Sequence, residues 1–156
     1  MTLTDEQINA LESGPEMDRL VAEACGETVK YGSFASPVCF NESVSWRGYY
    51  VPYTADTFET SGVHKLEQPP EGFEWGRPTL AFSRDWNEAM FAAERFGLFE
   101  ITKLGHVKDL TATLTRHDGL WEFGLSEMDS GPLLKTESTS GPLAICRAIL
   151  KLARHK

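Results

Sequence analysis

The chain of 156 residues lacks the features that place a protein quickly. It holds no run of about eighteen apolar residues, so no segment reads as a membrane-spanning helix. The opening MTLTDEQINALESG has neither a basic stretch nor an apolar core, and is not expected to act as a signal peptide. Cysteine is scarce and odd in number: Cys25, Cys39 and Cys146 have no metal-type spacing and form no disulfide framework. That usage fits a reducing cytoplasm. Positive charge is in short supply, and the net charge is −8. Such a balance argues against non-specific nucleic-acid binding, which relies on Lys and Arg neutralising phosphates. The acidic residues are scattered, as on an ordinary soluble surface.

Chemical motifs are missing too. There is no G-x-S-x-G elbow and neither of the common glycine-rich phosphate loops. His64, His106, His117 and His155 stand apart from one another and from cysteine, so no metal site, no cofactor and no catalytic residue is assigned. Cys39 reads as a small hydrophobe rather than a nucleophile.

What is present is a pattern of helices and strands. The run SGPLAICRAILKLARHK, 140–156, is the most apolar helix-length stretch. Gly141 is read as its N-cap and Pro142 as its first helical residue. Ile145, Ile149 and Leu152 mark an apolar side, and Arg147, Lys151 and Arg154 a solvated basic stripe. This helix is expected to lie on a sheet. Thr4 and Gln7 form a capping box for a short helix, and Met17, Leu20, Val21 and Ala24 outline a second, closed by Gly26. A third helix is expected to start at Ser83 as N-cap and to bury Trp86, Ala89, Met90, Ala93 and Phe96 before Gly97. Phe99 and Ile101 alternate as in a strand. Residues 110–115 and 121–125 read as a hairpin around His117-Asp118-Gly119, and 126–140 as a polar loop.

Residues 27–78 are the least regular and hold more than half of the aromatic residues. Trp46-Arg47-Gly48-Tyr49-Tyr50, with Tyr53, Trp75 and Arg77, interleaves rings with guanidinium groups. Rings suit stacking of a planar ligand, and arginine suits a phosphate or carboxylate. The same residues also suit a subunit interface or the core of an irregular β region. Glu71 and Glu74 flank Phe73 on this segment. Glu122, between Trp121 and Phe123, is expected to face solvent.

Three blocks occur in a telling order: ALESGPEMDRLVAEA, then LAFSRDWNEAMFAAERFG, then the hairpin and GPLAICRAILKLA. In that order the chain resembles the phage ABA-sandwich domain proteins, small proteins of bacteriophages and prophages. The resemblance covers about the first 26 residues and those after about 79, and the aromatic segment 27–78 departs from it as an insertion. It implies one α+β domain over 1–156, a three-layer α-β-α sandwich with helices on both faces of an antiparallel sheet. It carries no established activity and no catalytic residues. The reading ranked first is a non-enzymatic phage accessory protein in the bacterial cytoplasm. Its ligand would be a small molecule, with a nucleotide-type host immune signal as the example. An interaction module for a host or phage protein, or for self-assembly, ranks second, and a small hydrolase without a recognisable motif third.

Overall fold

The computed structural model describes residues 3–39, 42–54, 69, 71–78, 80–98, 110–127 and 131–155. The described helices are α1 (Asp5–Ala10), α2 (Pro15–Ala24), α3 (Trp86–Phe96) and α4 (Gly141–Ala153). The strands are β1 (Lys30–Cys39), β2 (Glu42–Pro52), β3 (Glu74–Pro78), β4 (Leu110–His117), β5 (Leu120–Glu127) and β6 (Gly131–Ser138). The molecule is mixed α+β, with two small sheets. It divides into two compact units, one formed by 1–25 with 81–156 and the other by 26–80. The aromatic segment 27–78 falls within the second.

α4 is the hub of the first unit. It contacts α1, α2, α3, β5 and β6. Nearly every residue from Gly141 to Lys151 is buried, Lys151 included. Burying side chains such as Ile145, Ile149 and Leu150 contributes about 1.5–3 kcal/mol each. The basic stripe is therefore not simply solvated. Arg147 donates to the carbonyls of Glu137 (2.7 Å) and Leu11 (2.9 Å). Arg154 donates to Leu3 O (2.8 Å) and pairs with Asp5. These long side chains lie along the helix and hold the α1 segment by backbone acceptors that composition does not reveal.

The sheet runs β4-β5-β6, antiparallel throughout. Phe123 and Leu125 are buried on one face, and Thr136 and Ser138 of β6 join them there. The opposite face carries Thr113, Thr115, Lys135 and Glu137, all exposed. The hairpin turn takes φ 51° at Asp118 and 79° at Gly119, as a two-residue turn with left-handed residues requires. β6 occupies the stretch expected to be loop. Leu134, Thr136 and Ser138 face inward, so two of these three positions are hydroxyls and the apolar alternation is weak; Thr136 donates to Ala144 O at 2.8 Å.

Two helix starts differ from expectation by one or two residues. Asp85, not Ser83, caps α3, accepting from the N–H groups of Asn87 (2.9 Å) and Glu88 (3.1 Å). Ser83 is buried and accepts from Gly14 N–H instead (3.0 Å). Ser140, not Gly141, is the N-cap of α4, which moves Pro142 to the second helical position. Of the expected stripe of α3, Ala89, Ala93 and Phe96 are buried together with Ala92. Trp86 and Met90 are exposed, because the core side of α3 is lined by small alanines. The capping box at Thr4 and the left-handed Gly97 with buried Leu98 are present as expected. The strand expected at Phe99 and Ile101 lies outside the described residues.

In the second unit each of the three strands pairs with the other two. β1 and β2 form a long antiparallel ribbon, β2 and β3 pair antiparallel, and β3 meets β1 in parallel at Phe34 and Ala35. Phe34 and Tyr50 are buried inside this ring. Gly76 is needed there: a β-carbon would lie 2.6 Å from Tyr50 Cδ2 and 2.9 Å from Val51 O.

Candidate functional site

Strand alternation decides what the aromatic segment can do. Directly paired residues share a face, so the register sorts the seven candidates. Phe34 is opposite Trp46, and Lys30 is opposite Tyr50. Trp46 and Tyr50 thus share the face that is interior at Tyr50. Tyr31 is opposite Tyr49 and Ser33 opposite Arg47, while Arg77 pairs with Val51 and Trp75 with Ala35. Arg47, Tyr49, Trp75 and Arg77 therefore belong to the other face. Tyr53 follows the end of β2, and its N–H donates to Trp75 O at 3.2 Å.

Tyr50 is a core residue. Its ring stacks on Phe34, with centroids 4.8 Å apart and planes at 22°. Its hydroxyl donates to Glu74 at 2.8 Å. Lys30 Nζ reaches both oxygens of the same carboxylate, at 3.1 and 2.9 Å. Burial, helped by the bond to Glu74, pushes the Tyr50 phenol up to about 12. The bonds from Lys30 and then Tyr50 hold Glu74 below the ordinary carboxylate range. Glu74 is thus committed to two partners, and Tyr50 stays protonated. Neither is disposed to move a proton near neutrality.

The second face is different. Tyr31 is 66% exposed and meets Tyr49 edge to face, with centroids 5.1 Å apart and planes at 70°. Arg47 follows two residues back along β2, about 6.7 Å from Tyr49 by strand rise. It is exposed and has no hydrogen bond or ion pair among the described residues. Arg77, by contrast, is half-buried and bound to Glu27 at 2.9 Å. Tyr31 was not singled out from the sequence, because its pairing with Tyr49 depends on register. Trp46 is 51% exposed but lies on the face away from Arg47.

The first unit holds another aromatic–arginine arrangement. Trp86 meets Trp121 edge to face at 4.9 Å, and Arg116 lies 5.7 Å over the Trp121 ring. Gly141 leaves the room that the Trp86 ring occupies. Nearby, Met90, Ala93, Leu98, Ala112, Leu114, Phe123 and Ile145 line an apolar pocket of about 100 Å³. His117 Nε2 lies 3.6 Å from Glu122, but Lys135 holds that same oxygen at 2.9 Å. This pair sits on the polar strand face, and Lys135 also bridges to Glu137, so it resembles a surface charge ladder more than an acid–base dyad. No group of three or more metal-ligating side chains occurs among the described residues. None of the described helices is long and apolar enough to cross a membrane. His64 and His106 lie outside the described residues. No family model matches the chain, and no curated protein or solved structure is significantly similar to it.

Proposed function

We propose that this chain is a non-enzymatic accessory protein of a phage or prophage that works in the host cytoplasm by holding a small nucleotide-type ligand. The observation that carries the reading is the edge-to-face pair of exposed Tyr31 and half-buried Tyr49 on the same face as Arg47, which is exposed and has no partner among the described residues. An exposed aromatic ring offers a stacking surface for a base, and a guanidinium on the same face offers paired donors to a phosphate. The side chains most able to do acid–base work, Glu74 and the His117–Glu122 pair, are each engaged by lysine. The net charge of −8 disfavours a long polyanion and leaves a single small anion as the better match. The ABA-sandwich affiliation belongs to the same proposal, supported by the order of the helix pair, α3, the hairpin and α4. Its three-layer form would require a helix against the polar face of β4–β6.

Native mass spectrometry tests this on protein purified gently from cells that run a nucleotide-signalling defence. The expected result is an added mass of nucleotide size that is lost in Arg47→Gln and in Tyr49→Ala. An apo mass for the wild type from signalling cells would overturn sequestration. A higher-order assembly of apo chains would transfer the aromatic face to self-association.

A further inference from the structure

The first unit holds an apolar cavity that the nucleotide role does not use. Rows of side chains run from α3 across the sheet, set by helix spacing on one side and by strand register on the other. Trp86 meets Trp121, whose cross-strand partner is Arg116. One helical turn on, Met90 borders the cavity together with Phe123 and its partner Leu114. Beyond them Ala93 of α3 and Ala112 of β4 each present a single methyl, and neither fills the space between helix and strand. About 100 Å³ is left, floored by the buried side chains of Ala93, Leu98, Phe123 and Ile145. The rim is partly open, with Met90 41% exposed and Leu114 half-buried. Thr113 also borders the space, but its hydroxyl lies beside Gly124 on the opposite strand face.

Size and charge together narrow what fits. A dry apolar cavity of about 150 Å³ takes benzene, whereas drug-sized ligands need about 300 Å³ or more. This space therefore suits one ring or one branched alkyl group. Arg116 shares the strand face of Leu114 and lies about 6.7 Å further along β4. It is exposed, and its guanidinium sits 5.7 Å over the Trp121 ring. A guanidinium held over a ring keeps N–H donors for a carboxylate. We infer that the cavity between α3 and β4 binds a small apolar monocarboxylate, with its ring or alkyl group against Met90, Leu114 and Phe123 and its carboxylate on Arg116. None of these residues belongs to the aromatic face of 26–80, so the two sites are tested separately.

The probe is 3-phenylpropionate, titrated into the full isotope-labelled chain and followed by the indole N–H resonances of Trp86 and Trp121. Saturable shifts of both are expected, with a Kd of about 1 mM, ordinary for a fragment of this size. 3-Phenylpropanol, which keeps the ring and lacks the charge, should bind about tenfold more weakly, the worth of one charge-assisted contact. Arg116→Gln should bring the acid to the level of the alcohol and leave the alcohol unchanged; Arg116 is exposed, so the fold should hold, as circular dichroism can verify. Ala112→Leu, which fills the cavity, should weaken both. Equal affinity of acid and alcohol for the wild type would overturn the carboxylate assignment. Absence of saturable shifts at about twenty times the expected Kd would overturn the site itself, as would shifts confined to Trp46 and Trp75.

Discussion

Replacing Asp18 by alanine is expected to destabilise the first unit by about 2–4 kcal/mol, although the residue touches no candidate ligand surface. Asp18 is fully buried on α2. One oxygen accepts the backbone N–H of Ser83 at 2.8 Å, and the other accepts from Arg84 at 3.0 Å. Ser83 is itself buried; its hydroxyl accepts from Gly14 N–H, and its carbonyl accepts from Ser13 Oγ, both at 3.0 Å. The chain before α2 and the turn before α3 are thus tied together through one carboxylate. Alanine strands the Ser83 N–H away from water, which costs about 1–3 kcal/mol. The loss of Arg84 adds less, about 1 kcal/mol, because its side chain is 53% exposed and regains water. Hydrogen exchange of the 141–153 segment reads the effect in the hub helix. Opening should become roughly 30- to 900-fold more frequent in Asp18→Ala. Arg84→Ala should cost about 1 kcal/mol, and Asp18→Asn, which keeps an acceptor for Ser83, a similar amount. If Arg84→Ala matched Asp18→Ala, the ion pair and not the backbone bond would hold the turn. If Asp18→Ala cost under about 1 kcal/mol, the tie would be dispensable.

Gly141→Ala should expel the Trp86 ring from its place against Trp121, since the new methyl would occupy that space; near-ultraviolet circular dichroism of the tryptophans should change while far-ultraviolet helix content is kept. Stability should fall as pH rises from about 10 to about 12, because Tyr50 stays protonated in the folded chain after it would ionise in the unfolded one. The slope should be at most about 1.4 kcal/mol per pH unit, and urea midpoints of Tyr50→Phe should lack that component. Cys146 is fully buried and its thiol is pushed up by that burial, so it should resist disulfide reagents in the native state and react only on unfolding, with Cys25 modified first.

The helices were legible where periodicity and punctuation agree, and misplaced where tertiary demands reassigned a residue. Thr4, Gly26, Gly97 and the Asp-Gly turn act locally, and each sits where its own chemistry puts it. Ser83 is a competent N-cap by type, but a partner 69 residues away takes its hydroxyl, and Asp85 caps instead. β6 was hidden for a related reason. The buried positions of β6 are Thr136 and Ser138, which carry no hydrophobic signal, and the carbonyl of Ala144 accepts the Thr136 hydroxyl. Arg147 and Arg154 likewise read as solvent-facing because the carbonyls that receive them belong to β6 and to the chain around α1.

The candidate site was legible as a composition and not as a surface. A run such as Trp46-Arg47-Gly48-Tyr49-Tyr50 looks like one cluster on paper, yet a strand of period two must divide it. Tyr50 goes to the core, where Phe34 stacks on it and Glu74 takes its hydroxyl. Arg47 and Tyr49 go to the other side, where Tyr49 meets Tyr31 of β1, a pair that only the strand register brings together. Ion pairing, rather than strand alternation, then sets Arg47 apart from the other described basic residues of the segment. Lys30 and Arg77 were equal to Arg47 as sequence letters, but Glu74 and Glu27 answer them. Among the described residues of that face, Arg47 is left beside the Tyr31 and Tyr49 rings, an arrangement set by the register of β1 on β2 and not by any run of neighbouring residues.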